Sequence, residues 1–435
     1  MSAWHVEPQT PQASRSRWLC LLARYDQAAP RYGSYPSAEQ FTAPIAPETY
    51  ADWLGGIDQA ATARVAISLP SPATPISPSV TTDFVQSLID ELALVESAVS
   101  GRLTITELRL RGGVANRLSR DDLVRLFAAL RHVFSIRPAA RIAASLDLPT
   151  LTEAWVRAAV FHGLVEADIR IDAHDLDAST DASGSARLAQ AVGWLRTSGV
   201  DRIRLDLDYG GPSQRARDIA AAVRELLTLA PDEVVLTRAR SWADAGGDRP
   251  ASAAFLAAAM ERLDEHLAAC AILMEAGYQA VGPDHFVLGA DLGPDGQGAG
   301  GVLIGLGPRA VTRLDGACVR NLVDEVAWRA ALATGRLPVD RGLILTPEDR
   351  LRSAVIEALM TRCVVDLPRV CAAHDLPGDH LAPLLVNLRG LERDGLVRIE
   401  AGRITVLDLG RPFLSVIART FDERATPEAD LTPPI

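Results

Sequence analysis

Lysine is absent from all 435 residues, so each of the 44 basic side chains is an arginine. That excludes chemistry built on an ε-amine, such as a Schiff-base lysine or the lysine of a phosphate loop. No apolar run reaches the roughly 18 residues that a membrane span requires, and the expectation is a chain that does not enter a membrane. The apolar stretch Trp18–Ala23, flanked by Arg17 and Arg24, is too short for the core of a secretory signal, which points to the cytoplasm. The five cysteines, Cys20, Cys270, Cys318, Cys363 and Cys371, are scattered without a C-x2-C pair. Such spacing fits reduced thiols, argues against a disulfide framework and offers no local scaffold for a metal cluster. Cys363, Cys371, His374 and His380 carry metal-capable atoms, yet their spacing matches no standard zinc pattern. An excess of positive charge is missing too. The formal net charge of -11 disfavours a nucleic-acid partner.

What is present is an ordinary globular composition, 48% hydrophobic and 23% charged, long enough for two or three domains. Residues 1–60 read as an N-terminal arm, its first thirty residues polar and loose, followed by a helix from about Pro47 to Ala60. Residues 61–250 alternate. Short apolar or β-branched runs occur at Arg64–Leu69, Thr104–Arg111, Ala140–Leu146, Glu166–Ile171, Arg202–Asp206 and Glu233–Thr237. Helical periods separate them at Thr82–Ser97, Arg120–Phe134, Leu151–His162, Ala186–Ser198 and Gln214–Ala230, with Ser119 placed to cap the second. Six strands with five intervening helices predict an α/β fold with a parallel sheet, either doubly wound or a partial barrel. Residues 251–345 carry a long helix ending at Gly277 and two extended segments around Tyr278–Leu288 and Gly301–Leu306. Residues 346–424 read as a helical domain closing on a hairpin, winged-helix-like, in a structural role rather than on DNA. Residues 425–435 form a Pro-rich tail expected to be disordered.

Several segments, in this order, resemble the oxygen-independent coproporphyrinogen III oxidase family of radical-SAM enzymes. Arg31-Tyr32-Gly33-Ser34-Tyr35-Pro36 is similar to its R-Y-x-S-Y-P, and Asp206-Leu207-Asp208-Tyr209-Gly210-Gly211-Pro212 to its D-L-I-Y-G-L-P. Tyr278–Phe286 resembles Y-x-x-I-G-M-D-H-F, Leu303–Gly307 resembles L-L-G-L-G, and Leu391–Val397 resembles L-x-x-D-G-L-V. The resemblance implies a partial (β/α)6 barrel of radical-SAM type, an N-terminal arm and a C-terminal helical domain. It also implies S-adenosylmethionine and a 4Fe–4S cluster as the family's cofactors, used to oxidise two propionates of a porphyrinogen in haem synthesis.

The family's cluster is held by a C-x3-C-x2-C loop after the first barrel strand. Its three cysteine positions fall here on Pro72, Ile76 and Ser79, which supply no thiolate. The strand's Tyr and His positions fall on Ala66 and Ser68. The glycine-rich segment that cradles the cosubstrate corresponds to Arg111-Gly112-Gly113-Val114-Ala115-Asn116, keeping Gly112 and Gly113 but not Thr-Pro-Thr. A carboxylate of the third barrel strand falls on Leu146, within one residue of register, and a glutamine near His174. Asp206 is retained, either as a polar contact on the barrel rim or as a capping group.

Arg31, Tyr35, Asp284 and His285 complete the candidate ligand residues. Arg109, Arg111, Arg170, Arg204 and Arg238 sit in or beside barrel strands. Turned inward they form an anionic-ligand pocket, and turned outward they are salt-bridged. The leading expectation is a relative with no catalytic residue or metal left and no radical-SAM activity, binding a porphyrin, haem or an adenosyl ligand. An active enzyme with relocated cysteines and a non-catalytic interaction or regulatory protein are the alternatives.

Overall fold

The computed structural model describes residues 11–25, 32–69, 78–112, 115–172, 176, 182–209, 216–238, 253–289 and 301–425. Arg31, Gly113, His174, Pro72, Ile76 and the tail from 426 onward lie outside them. Helix α1 (Pro11–Tyr25), strand β1 (Ala43–Pro44) and helix α2 (Pro47–Gly55) come first. Residues 11–25, expected to be loose, are therefore helical. Trp18, Leu21, Leu22 and Tyr25 recur at helical spacing and pack into the C-terminal core, where burial outweighs the polar composition around them.

The predicted alternation follows: β2 (Thr62–Ser68), α3 (Pro78–Ala98), β3 (Thr104–Arg111), α4 (Arg120–Val133), β4 (Ser135–Leu146) and α5 (Glu153–Phe161). It continues through β5 (Leu164–Asp172), α6 (Ala182–Thr197), β6 (Arg202–Tyr209), α7 (Ala216–Thr228) and β7 (Glu233–Arg238). Ser119 does cap α4, its hydroxyl accepting from the Asp122 amide at 3.1 Å while the Asp122 carboxylate returns to the Ser119 amide.

Neighbours from β2 to β7 pair in parallel and in sequence order. Crossovers of one hand then leave all the helices on one face and curve the sheet into a partial (β/α)6 barrel. The sequence pattern matches that geometry. Val65, Ile67, Leu108, Leu110, Ile169, Leu205 and Leu207 face the helices and form the main core. Their polar alternates face the concave side.

Beyond the barrel come α8 (Ala253–Glu275), β8 (Tyr278–Ala280), β9 (His285–Leu288), β10 (Val302–Leu306), β11 (Val311–Arg313), β12 (Ala317–Asn321), α9 (Glu325–Ala333) and β13 (Val339–Ile344). They extend the sheet on both sides to thirteen strands, with β10 parallel to β2 and β9 antiparallel to β7. The C-terminal domain runs α10 (Pro347–Arg362), β14 (Val364–Asp366), α11 (Leu367–Ala373), α12 (Leu385–Arg393), β15 (Val397–Glu400), β16 (Arg403–Val406) and α13 (Leu414–Arg419). Its three strands pair in the order β14-β16-β15, the winged-helix arrangement that the sequence suggests. No helix among the described residues is long and apolar enough to cross a membrane.

Candidate functional site

The concave face of β2–β7 is charged rather than apolar. Alternation within Glu107-Leu108-Arg109-Leu110-Arg111 sends the three charged residues to one side and both leucines to the core. The same pattern runs through Glu166, Asp168 and Arg170 on β5 and Arg202, Arg204, Asp206 and Asp208 on β6. Charged groups buried on such a face must find partners, and most do. Arg109 binds Glu107 and lies 3.5 Å from Glu166 and 4.0 Å from Asp168. Arg204 reaches Asp168 at 2.9 Å and Asp206 at 3.0 Å, and Arg141 reaches Glu166 at 2.6 Å. Arg202 pairs with Glu233, whose other oxygen is 3.0 Å from His285 Nε2.

This lattice sets the ionisation of the lumen. Burial, with the charges of Asp206 and Glu166, raises Asp168 to about 6 against the opposing pull of Arg204 and Arg109. Burial also works on Glu233, but the hydrogen bond and charge of His285, with Arg202 and Arg204, bring it down to about 2. Asp206 is raised, again by burial first. Arg109, Glu166, Asp168, Arg202, Arg204 and Glu233 line a narrow polar cleft with room for little more than water.

Sequence-predicted residues divide accordingly. Arg109, Arg111, Arg170, Arg204 and Asp206 do share the concave face. All but Arg111 are ion-paired there, so inward projection and salt-bridging hold together instead of excluding each other. Arg238 ends β7. Gly112, with φ +113°, follows β3 directly, and an added Cβ there would come within 2.8 Å of the Leu69 carbonyl oxygen. A close approach of two backbones accounts for that glycine. Leu146 is 1% exposed in the helix-side core, whereas its neighbour Ser145 faces the lumen, with Oγ 3.5 Å from Asp168.

Tyr35 is placed far from the lumen. It is buried in the core of the C-terminal domain, its carbonyl accepting from Arg313 and Ser353 at 2.8 and 3.0 Å. Asp284 and His285 are neighbours in sequence but face different partners. His285 meets Glu233, while Asp284 lies 3.9 Å from Nε2 of His266. The other nitrogen of His266 is 3.1 Å from the Tyr209 hydroxyl. Glu107, Arg141, Glu166, Asp168, Arg202 and Glu233 are absent from the sequence-based site. Their signal was legible in part: charged and apolar residues alternate strictly in β6 and from Glu166 onward in β5, but not around Arg141 in β4 or Glu233 in β7.

The residues present do not fit an iron–sulfur cluster. Ser79 falls in the first turn of α3. Cys270 belongs to the main core, Cys318 to a small core with Phe41, and Cys363 and Cys371 to the C-terminal core. Burial pushes all four of these thiols up, away from the thiolate form that iron requires. Cys20 is exposed on α1. Among the described residues, no three His, Cys, Asp or Glu side chains converge as a metal site; His380 instead meets Glu348 at 2.8 Å.

Known proteins resemble the chain along nearly its whole length. No family model matches it. It is 29% identical to an oxygen-independent coproporphyrinogen III oxidase of Bradyrhizobium diazoefficiens, over 93% of this chain and 97% of the relative. It is 24% identical to the protein of that name from Escherichia coli, over 93% of this chain and 94% of the relative. Among solved structures it is similar to the Escherichia coli coproporphyrinogen III oxidase, described as a radical SAM enzyme. The TM-score is 0.79 at 20% identity, covering 90% of this chain and 97% of that one.

Proposed function

The chain is a homologue of proteins named oxygen-independent coproporphyrinogen III oxidase, and on that premise we propose that it is a catalytically retired relative. It keeps the barrel, performs no radical-SAM chemistry and takes a carboxylate-bearing tetrapyrrole, a porphyrin or haem, at the barrel mouth. One observation carries this reading. The chain has no cysteine between Cys20 and Cys270, and the four cysteines from Cys270 onward are buried in three separate cores. An active enzyme with relocated cysteines needs three sulfurs together at the strand ends, and these cores hold them apart. A purely interacting protein needs an exposed apolar patch. In the C-terminal domain, Val386 at 56% exposure stands alone among the described large apolar side chains.

Two measurements test the proposal. Anaerobic reconstitution of the full chain leaves iron and sulfide well below one per chain, whereas about four of each restores the active enzyme. Titration with coproporphyrin III or haem shifts the absorption band. An unchanged spectrum with both ligands removes the ligand-binding half.

A further inference from the structure

Arg109, Arg141, Arg170, Arg202 and Arg204 each meet a carboxylate within 4.0 Å. Arg111, the last residue of β3, meets none among the described residues. It is solvent-exposed, yet it stands at the concave end of the sheet beside Arg109 and Arg204. Desolvation of the side that packs against the strands and then the charge of Arg109 lower its pKa, while Glu107 and Asp168 pull the other way. The nearby carboxylates of Glu107 and Asp168 are engaged by Arg109 and Arg204, so Arg111 pairs with neither and a further counter-charge is favourable there. From this arrangement we propose that Arg111 is the anchor for one carboxylate of a ligand entering the barrel mouth, and that the paired lumen arginines do not touch that ligand.

The inference rests on the retired-relative reading and names the group that holds its ligand. A planar guanidinium matches a carboxylate with two parallel hydrogen bonds, so the class selected is a ligand with a free propionate-like arm. Because Arg109 and Arg204 are held by their own carboxylates and the cleft between the strands is narrow, the ligand sits above Arg109 and does not enter that cleft.

The test uses the full chain and two readouts. In the first, coproporphyrin III binding is followed by fluorescence for the wild type, Arg111→Gln and Arg170→Gln. R111Q binds about tenfold more weakly, the loss of one charge-assisted pair, while R170Q stays within about twofold. Equal binding by R111Q and wild type overturns the proposal. R111Q breaks no ion pair, so its melting temperature equals or exceeds that of the wild type; a lower one assigns Arg111 a structural role instead.

The second readout needs no tetrapyrrole. Phenylglyoxal labels Arg111 ahead of Arg109, Arg141, Arg202 and Arg204 in a peptide mass map, and millimolar propionate protects it. If coproporphyrin fails to bind but propionate protects Arg111, the tetrapyrrole reading falls and the anchor stands. Labelling that no carboxylate alters removes the anchor.

Discussion

Glu91, on α3, is the one charged residue in the apolar stripe of Leu88, Leu92 and Val95, and it is 2% exposed. Its carboxylate accepts from the Gly307 amide at 2.8 Å, Asn321 Nδ2 at 2.6 Å and Trp328 Nε1 at 3.2 Å. It thereby ties the first barrel helix to the strands beyond β10. Burial raises it to about 7 although all three donors favour the charged form. The folded value lies above the unfolded one, so stability from this group is complete below about 4.5 and is lost as pH rises through about 7. Glu91→Gln removes the titration at nearly the same shape. Urea denaturation should show the wild type losing stability relative to E91Q across that window, and a flat difference contradicts it. A lone glutamate on an apolar helix stripe is visible in the sequence. Its three partners, more than two hundred residues away, are not.

At the scale of elements, the strands were legible because burial on one face imposes a period of two. Their ends moved by a few residues: β4 begins at Ser135 instead of Ala140, and β6 continues to Tyr209. Reading the arginines alone concealed the lattice, since beyond the same-strand partners Glu107 and Asp206 the carboxylates belong to other strands and meet them only through parallel register. Glu166 lies opposite Arg202, and Arg204 lies between Asp168 and Glu233. Such a lattice adds little net stability over an apolar filling, but deleting one partner leaves its carboxylates uncompensated. Arg109→Leu should therefore cost about 3 kcal/mol or more in urea denaturation, measured against the wild type. A cost under about 1 kcal/mol would show that the lattice relaxes around the gap.

Across the whole molecule, the first and last described segments are sewn into one C-terminal core. Tyr32 donates to Asp422 at 2.9 Å, Arg424 grips Asp349 at 2.7 and 2.9 Å, and Arg24 and Tyr25 of α1 bind Asp394. Leu21, 3% exposed within this core, is the position to test. Leu21→Asp should release α1 and raise hydrogen exchange across α12 and Phe413, with β2–β7 unchanged. Uniform exchange in both forms would show that α1 is not part of that core. From the amino-acid order alone came the alternation of β2 to β7, the caps, the winged-helix pattern and the absence of thiolates after the first barrel strand. All of these are local, because they depend on residue type and spacing within a few turns. Tertiary structure alone decided which lumen arginines are neutralised, why Gly112 must lack a side chain, that Tyr35 serves the C-terminal core, and that Asp284 and His285 part ways. Each depends on which distant strand arrives opposite, and parallel register, not spacing along the chain, sets that.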